Sequence, residues 1–187
     1  VDPVSGGAAN GASGELEVAV EVVVDPSVLM AIGKEASRPL GFATVAEPPV
    51  GPSGPNLGPG LAVSDGERAW WVSGELLADA AVMAAMGELL GVAGPGVVTH
   101  DAKPLLRALQ RLGVDEVALI MDTALASYLL DPADTTYDLG VLLERYAHRM
   151  LPAVGPPDGQ LDLTGDVADP SAEAVHRAAA ILSLIHI

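Results

Sequence analysis

From residue 41 to residue 148 the chain alternates short apolar runs, closed off by glycine or proline, with stretches whose apolar residues return every three or four positions. That alternation narrows the fold more than any other property. Strands with a period of two and helices with a period of about 3.6 bury complementary faces, and a sheet layered with helices is the arrangement that satisfies both. The expected class is therefore α/β, with a mixed sheet flanked by helices.

Residues 15–24 set Glu15, Glu17 and Glu21 against Leu16, Val18, Val20 and Val22, the pattern of a half-buried strand, which Asp25-Pro26 ends. A short helix follows over 27–32, with Ser27 as its cap. Residues 41–46, between Pro39 and Pro48, read as a buried strand, and 48–60 as a loop rich in proline and glycine. Asp65-Gly66 between 61–64 and 68–72 predicts a tight hairpin whose two central residues take positive φ. Trp70 and Trp71, adjacent on its second strand, are expected to place one ring in the core and one outward. Ser73 caps a predicted helix over 75–90 that Gly91 stops. A strand over 97–99 comes next, then a helix over 103–112 with Pro104 in its first turn, Leu105, Leu106, Leu109 and Leu112 on one face, and Gly113 as terminator. The remaining expectations are a buried strand at 116–121, a helix at 123–130 stopped by Asp131-Pro132, a helix at 137–148 capped by Thr136, an acidic loop at 152–170, and a last helix from 171.

The 187 residues suffice for one medium domain, and a mean hydropathy of +0.39 with 18% charged residues excludes a wholly disordered chain. A formal charge of −16 means that the average surface repels nucleic acid and anionic lipid, so a DNA contact needs a local basic patch. No apolar run reaches spanning length, since 76–98 is broken by Asp79, Glu88 and Pro95. The absence of cysteine removes disulfides, zinc knuckles and thiol nucleophiles, and fits a cytoplasmic location. Residues 1–14, rich in Gly, Ala, Ser and Asn, read as a flexible linker. Lys34 is the first base, so no signal peptide is evident, and the missing initiator Met points to a piece of a longer protein. Residues 182–187 (LSLIHI) read like the translation of a transposon-end adapter from sequencing-library construction, which puts the end of the natural sequence near Ile181.

Most generic motifs fail. Gly33-Lys34 lacks the glycine five positions earlier that a phosphate-binding loop needs, and residues 51–54 do not match the nucleophile elbow of serine hydrolases. His100-Asp101, His148 and His176 are not spaced as metal ligands, and Asp158, Asp162, Asp166 and Asp169 miss the calcium-loop register. Lys103, Arg107 and Arg111, four apart, form the single basic stripe and the one candidate contact to nucleic acid, although a helix face opposite Leu105 and Leu109 is polar in any case.

The run Asp122-Thr123-Ala124-Leu125-Ala126-Ser127-Tyr128-Leu129-Leu130-Asp131-Pro132, with Tyr137-Asp138-Leu139 and Leu142-Leu143-Glu144-Arg145-Tyr146 after it, resembles the 3′-to-5′ exonuclease domain of bacterial, family A DNA polymerase I. Upstream, Val97-Val98-Thr99-His100-Asp101-Ala102-Lys103 is similar to the preceding segment in proofreading-deficient members. The resemblance implies a ribonuclease-H-like fold over residues 15–181. Active members hydrolyse the terminal phosphodiester with two carboxylate-held metal ions that activate water and stabilise the leaving oxygen. It further implies that the first motif, Asp-x-Glu, falls on Ala43-Thr44-Val45, that the second-motif Asp falls on Pro104, and that the third-motif Tyr and Asp fall within 176–182, among alanine, isoleucine and leucine. None of these can bind Mg²⁺. Glu47 and Asp101 are the nearest acids, the first displaced by two residues on a strand and the second placed before the helix. The resemblance thus implies a fragment without catalytic residues, metal or cofactor. That fragment would be a structural spacer between the 5′ nuclease and polymerase domains of a parent that itself uses Mg²⁺ and meets the DNA. The alternatives are an exonuclease with weak metal-dependent activity and a freestanding inactive interaction module.

Overall fold

The computed structural model describes residues 14, 16, 18–45, 57–152 and 169–185. Its strands are β1 (Ala19–Val22), β2 (Leu40–Ala43), β3 (Gly60–Ser64), β4 (Arg68–Ser73), β5 (Val97–Thr99) and β6 (Leu119–Asp122). They form one mixed sheet in the order β1-β4-β3-β2-β5-β6, with antiparallel pairing for β4–β3 and β3–β2 and parallel pairing elsewhere. The helices are α1 (Pro26–Glu35), α2 (Ala80–Leu90), α3 (Ala102–Arg111), α4 (Thr123–Leu130), α5 (Leu139–Leu142) and α6 (Pro170–Ser183).

Both faces of the sheet are covered, which is why β2 and β3 are buried at every position. On one face Phe42, Val63, Trp70 and Val72 pack with Leu29, Ile32, Met86, Leu89 and Leu109 from α1, α2 and α3. On the other, Ala43, Ala62, Ala69, Trp71 and Val98 pack with Ala174, Val175, Ala178 and Ile181 of α6 and with Leu139, Leu142 and Leu143. The second face is built of small residues, so α6 sits close: a Cβ on Gly41 would stand 2.2 Å from the Ala178 carbonyl oxygen. Trp70 and Trp71 do point to opposite faces, but both are buried, because the outward face predicted for one of them is a second core.

The hairpin forms with β3 and β4 in register, yet only Gly66 takes a positive φ. Asp65 precedes the two central residues and accepts the Glu67 and Arg68 N–H groups at 3.0 and 2.7 Å. The strand at 97–99 and the helix at 123–130 lie where expected, and the predicted 103–112 helix is α3 with Gly113 at positive φ after it.

Several expectations are corrected. The 15–24 strand shortens to β1, an edge strand whose four residues are all exposed, while Leu16 and Val23 outside it are buried. The predicted strand at 116–121 becomes β6, the opposite edge, with Ile120 58% exposed rather than buried. Leu112 lies outside the core. The 75–90 helix is two pieces: Ser73 Oγ accepts the Leu76 N–H of a 3₁₀ turn over Leu76–Ala78, and Asp79 caps α2. The 137–148 helix is α5, capped by Asp138 rather than Thr136, running into a π-helical turn over Leu143–Ala147. Likewise Asp25, not Ser27, caps α1, which extends to Glu35. Aspartate also caps α4 and α6, through Asp122 and Asp169. The predicted linker and most of the loops at 48–60 and 152–170 lie outside the described residues. Leu184, within the 182–187 segment, is buried beneath the second face.

A cleft at the carboxyl ends of β2 and β5

The parallel pair β2–β5 ends at Ala43 and Thr99, and α3 begins just beyond. Together with α6 these ends enclose a cleft of about 230 Å³. Ala43, Thr44 and Val45 form one wall, Thr99, His100, Asp101 and Pro104 another, and Arg177 and Ile181 come in from α6. The three positions on which the resemblance sets the missing ligands, Ala43, Val45 and Pro104, all line this cleft. Glu47 lies outside the described residues.

Hydrogen bonds fix the walls. Thr99 Oγ1 donates to the Phe42 carbonyl at 2.8 Å, tying β5 to β2, and His100 Nδ1 lies 2.9 Å from Thr123 Oγ1. Asp101 is one of two described non-glycine residues at positive φ, with φ 54°. Its N–H and that of Ala102 both donate to Asp122, at 3.0 and 2.8 Å, and the same carboxylate accepts from Ala124 and Leu125 at 3.0 and 3.3 Å. Asp122 thereby joins the starts of α3 and α4. Burial pushes the His100 imidazole below its usual pKa and Arg177 adds to this, against the opposing pull of Asp122, Asp138 and Asp101.

The donor set does not fit a divalent metal pair. Among the described residues Asp101 is the one carboxylate on the cleft wall, the others offer hydrocarbon, hydroxyl or imidazole groups, and a guanidinium stands among them. Among the described residues no group of three or more His, Asp or Glu is placed to hold a metal ion.

Lys103, Arg107 and Arg111 lie on the exposed face of α3 and none of them lines the cleft. His148 is exposed beyond the π-helical turn, and His176 Nδ1 is 2.7 Å from the Ala172 carbonyl on α6. Asp169 caps α6, while Asp158, Asp162 and Asp166 lie outside the described residues. The residue that sequence reasoning passed over is Arg177. Its signal was slight, a lone base in the alanine-rich run of α6, and its place emerges only when α6 is laid across β2.

Comparison with known proteins identifies the family. The family model for the DNA polymerase I ribonuclease H-like domain matches residues 58–153. DNA polymerase I of Mycobacterium bovis and of Mycobacterium tuberculosis are each 33% identical over 128 residues, which cover 66% of this chain and 14% of theirs. The chain thus spans a small part of these relatives' length. Among solved structures, the POL domain of Pol1 from M. smegmatis, in complex with DNA primer-template and dNTP, aligns with a TM-score of 0.64 at 24% identity, over 87% of this chain and 26% of that one. Trypanosoma brucei RNase D in complex with RNA U12 aligns with a TM-score of 0.65 at 14% identity, over 90% and 62%. These two likenesses speak for a ribonuclease-H-like fold. Among the described residues no helix is long and apolar enough to cross a membrane.

Proposed function

The chain belongs to the family of ribonuclease H-like domains of DNA polymerase I, and from that premise we propose that it is a catalytically inactive 3′-to-5′ exonuclease-like domain serving as a structural spacer for a polymerase domain. The observation that carries this is the cleft: where two-metal hydrolysis needs several converging carboxylates, Ala43, Val45, Pro104 and Ile181 present hydrocarbon. The domain itself takes no metal or cofactor. Mg²⁺ belongs to the parent's polymerase, DNA reaches the parent chain rather than this cleft's chemistry, and the neighbours are the polymerase and 5′ nuclease domains, in the cytoplasm.

The spacer role has support in α4. Its buried residues are Thr123 and Ser127, whereas Leu125, Leu129 and Leu130 are exposed, Leu129 by 70%. A helix that hides its hydroxyls and shows its leucines suits a surface that another domain covers.

The test incubates the 187-residue chain with 3′-labelled single-stranded DNA and Mg²⁺ or Mn²⁺. No shortening is expected. Metal-dependent shortening that an Asp101→Ala change abolishes would overturn the proposal.

A further inference from the structure

Arg177 brings a positive charge into a cleft whose relatives by fold chemistry would hold metal ions. Its Nε is buried and has no hydrogen-bond partner among the described residues. A donor withdrawn from water without a partner is costly, and here it belongs to a charged side chain that is otherwise only partly buried. Among the described residues no ion pair involves Arg177: Arg68 pairs with Glu35 and Asp65, and Arg145 with Asp134. The acids that face the same region are committed elsewhere. Both Asp122 oxygens accept backbone N–H groups, and Asp138 Oδ1 accepts those of Gly140 and Val141 at 2.9 and 3.3 Å. Of the described acids Asp101 alone lines the cleft, and it forms no ion pair with Arg177 within 4.0 Å. The volume, about 230 Å³, falls below the roughly 300–1,000 Å³ of drug-sized sites and has room for a tetrahedral oxyanion.

We infer that Arg177 makes this cleft a site for a phosphate group, bound without a divalent cation. The sign of the site is inverted: it takes an anion where a metal centre would take cations. Guanidinium and phosphate are matched in geometry as well as charge, and Arg177 lines the cleft that would hold the anion. Thr44 and His100 flank the same space. Asp101 opposes the anion and sets the affinity lower than the guanidinium alone would give. The inference rests on the metal-free reading of the cleft, and the two fail separately. Metal-dependent shortening of DNA would remove the metal-free premise and the inference with it, whereas absent phosphate binding would overturn the inference alone and leave the spacer role intact.

The experiment follows the Arg177 Nε–H resonance of the ¹⁵N-labelled chain by NMR, in EDTA and low salt. One arm titrates inorganic phosphate and the other a short oligo(dT), whose binding is also read by fluorescence anisotropy. The expected result is a saturable shift that Mg²⁺ does not strengthen. Arg177→Met should weaken binding about tenfold, the scale of one charge-assisted contact. For the oligonucleotide the slope of log affinity against log salt should also fall by about 0.7. Asp101→Asn should tighten binding in either arm and serves as the second variant if Arg177→Met does not fold. A response to phosphate alone assigns the site to free phosphate, and a stronger response to oligo(dT) assigns it to the nucleic-acid backbone. A resonance unmoved by both probes, binding unchanged in Arg177→Met, or binding that requires Mg²⁺ overturns the inference.

Discussion

Asp122→Ala is the substitution whose cost the structure sets most clearly. The carboxylate caps α4 through Ala124 and Leu125 and also accepts the Asp101 and Ala102 N–H groups at the start of α3. Loss of a helix cap alone costs about 1 kcal/mol. The two further donors lose a charged acceptor, at about 1.5–3 kcal/mol each when buried. Asp122 is partly exposed, so water recovers part of that. The total expected is about 3 kcal/mol, which for a domain of this size lowers Tm by roughly 6–12 °C. The assay is equilibrium urea denaturation of the full chain, with Asp79→Ala as control. Asp79 accepts only the Ala81 and Val82 N–H groups at the start of its own helix, at 2.8 and 3.2 Å, and should cost about 1 kcal/mol. Equal losses for the two variants would refute the idea that Asp122 holds two helices rather than one.

Three further outcomes follow from packing and charge. Gly41→Ala drives a Cβ to 2.2 Å from the Ala178 carbonyl and should cost about 3 kcal/mol by overpacking; a loss under 0.5 kcal/mol in urea melts would show that α6 yields freely. Leu129→Lys, on a residue 70% exposed, should change the isolated chain's stability by no more than about 0.5 kcal/mol. His100 has a folded-state pKa below its ordinary 6.5, so the unfolded chain binds more protons. Its contribution is complete above pH 6.5 and is lost as the pH falls from there through the folded value. His100→Asn should flatten the stability-against-pH curve in that window, and an unchanged slope would count against the burial argument.

Beyond the α/β class with its mixed sheet, what could be read from the sequence was local. The Asp65-Gly66 hairpin, β5 and α4 are each bounded by their own turn and cap chemistry, and they lie where that chemistry puts them. The exposure of β1 and β6 was not legible, because being at the edge of a sheet depends on strand order, which no short pattern encodes. Trp71 is buried for a similar reason: its partner α6 arrives a hundred residues later. The aspartate caps were hidden by ambiguity, since Asp25-Pro26 ends a strand as readily as it starts a helix. At the cleft, the resemblance singled out Ala43, Val45 and Pro104, and the structure sets these three beside one another. Arg177 escaped because a single arginine on a helix says nothing until its neighbours across the chain are known.

The position of α6 in the chain has a consequence for biosynthesis. It lies across β2, β3, β4 and β5, yet it is translated after all of them. At about 5–20 residues per second, the ribosome needs on the order of five to twenty seconds between releasing β4 and releasing the end of α6. The α1–α2 side can close early, while Ala62, Trp71 and Val98 wait uncovered. The nascent domain is therefore one-sided until late in its synthesis, and the alanine-lined face is the last to be covered.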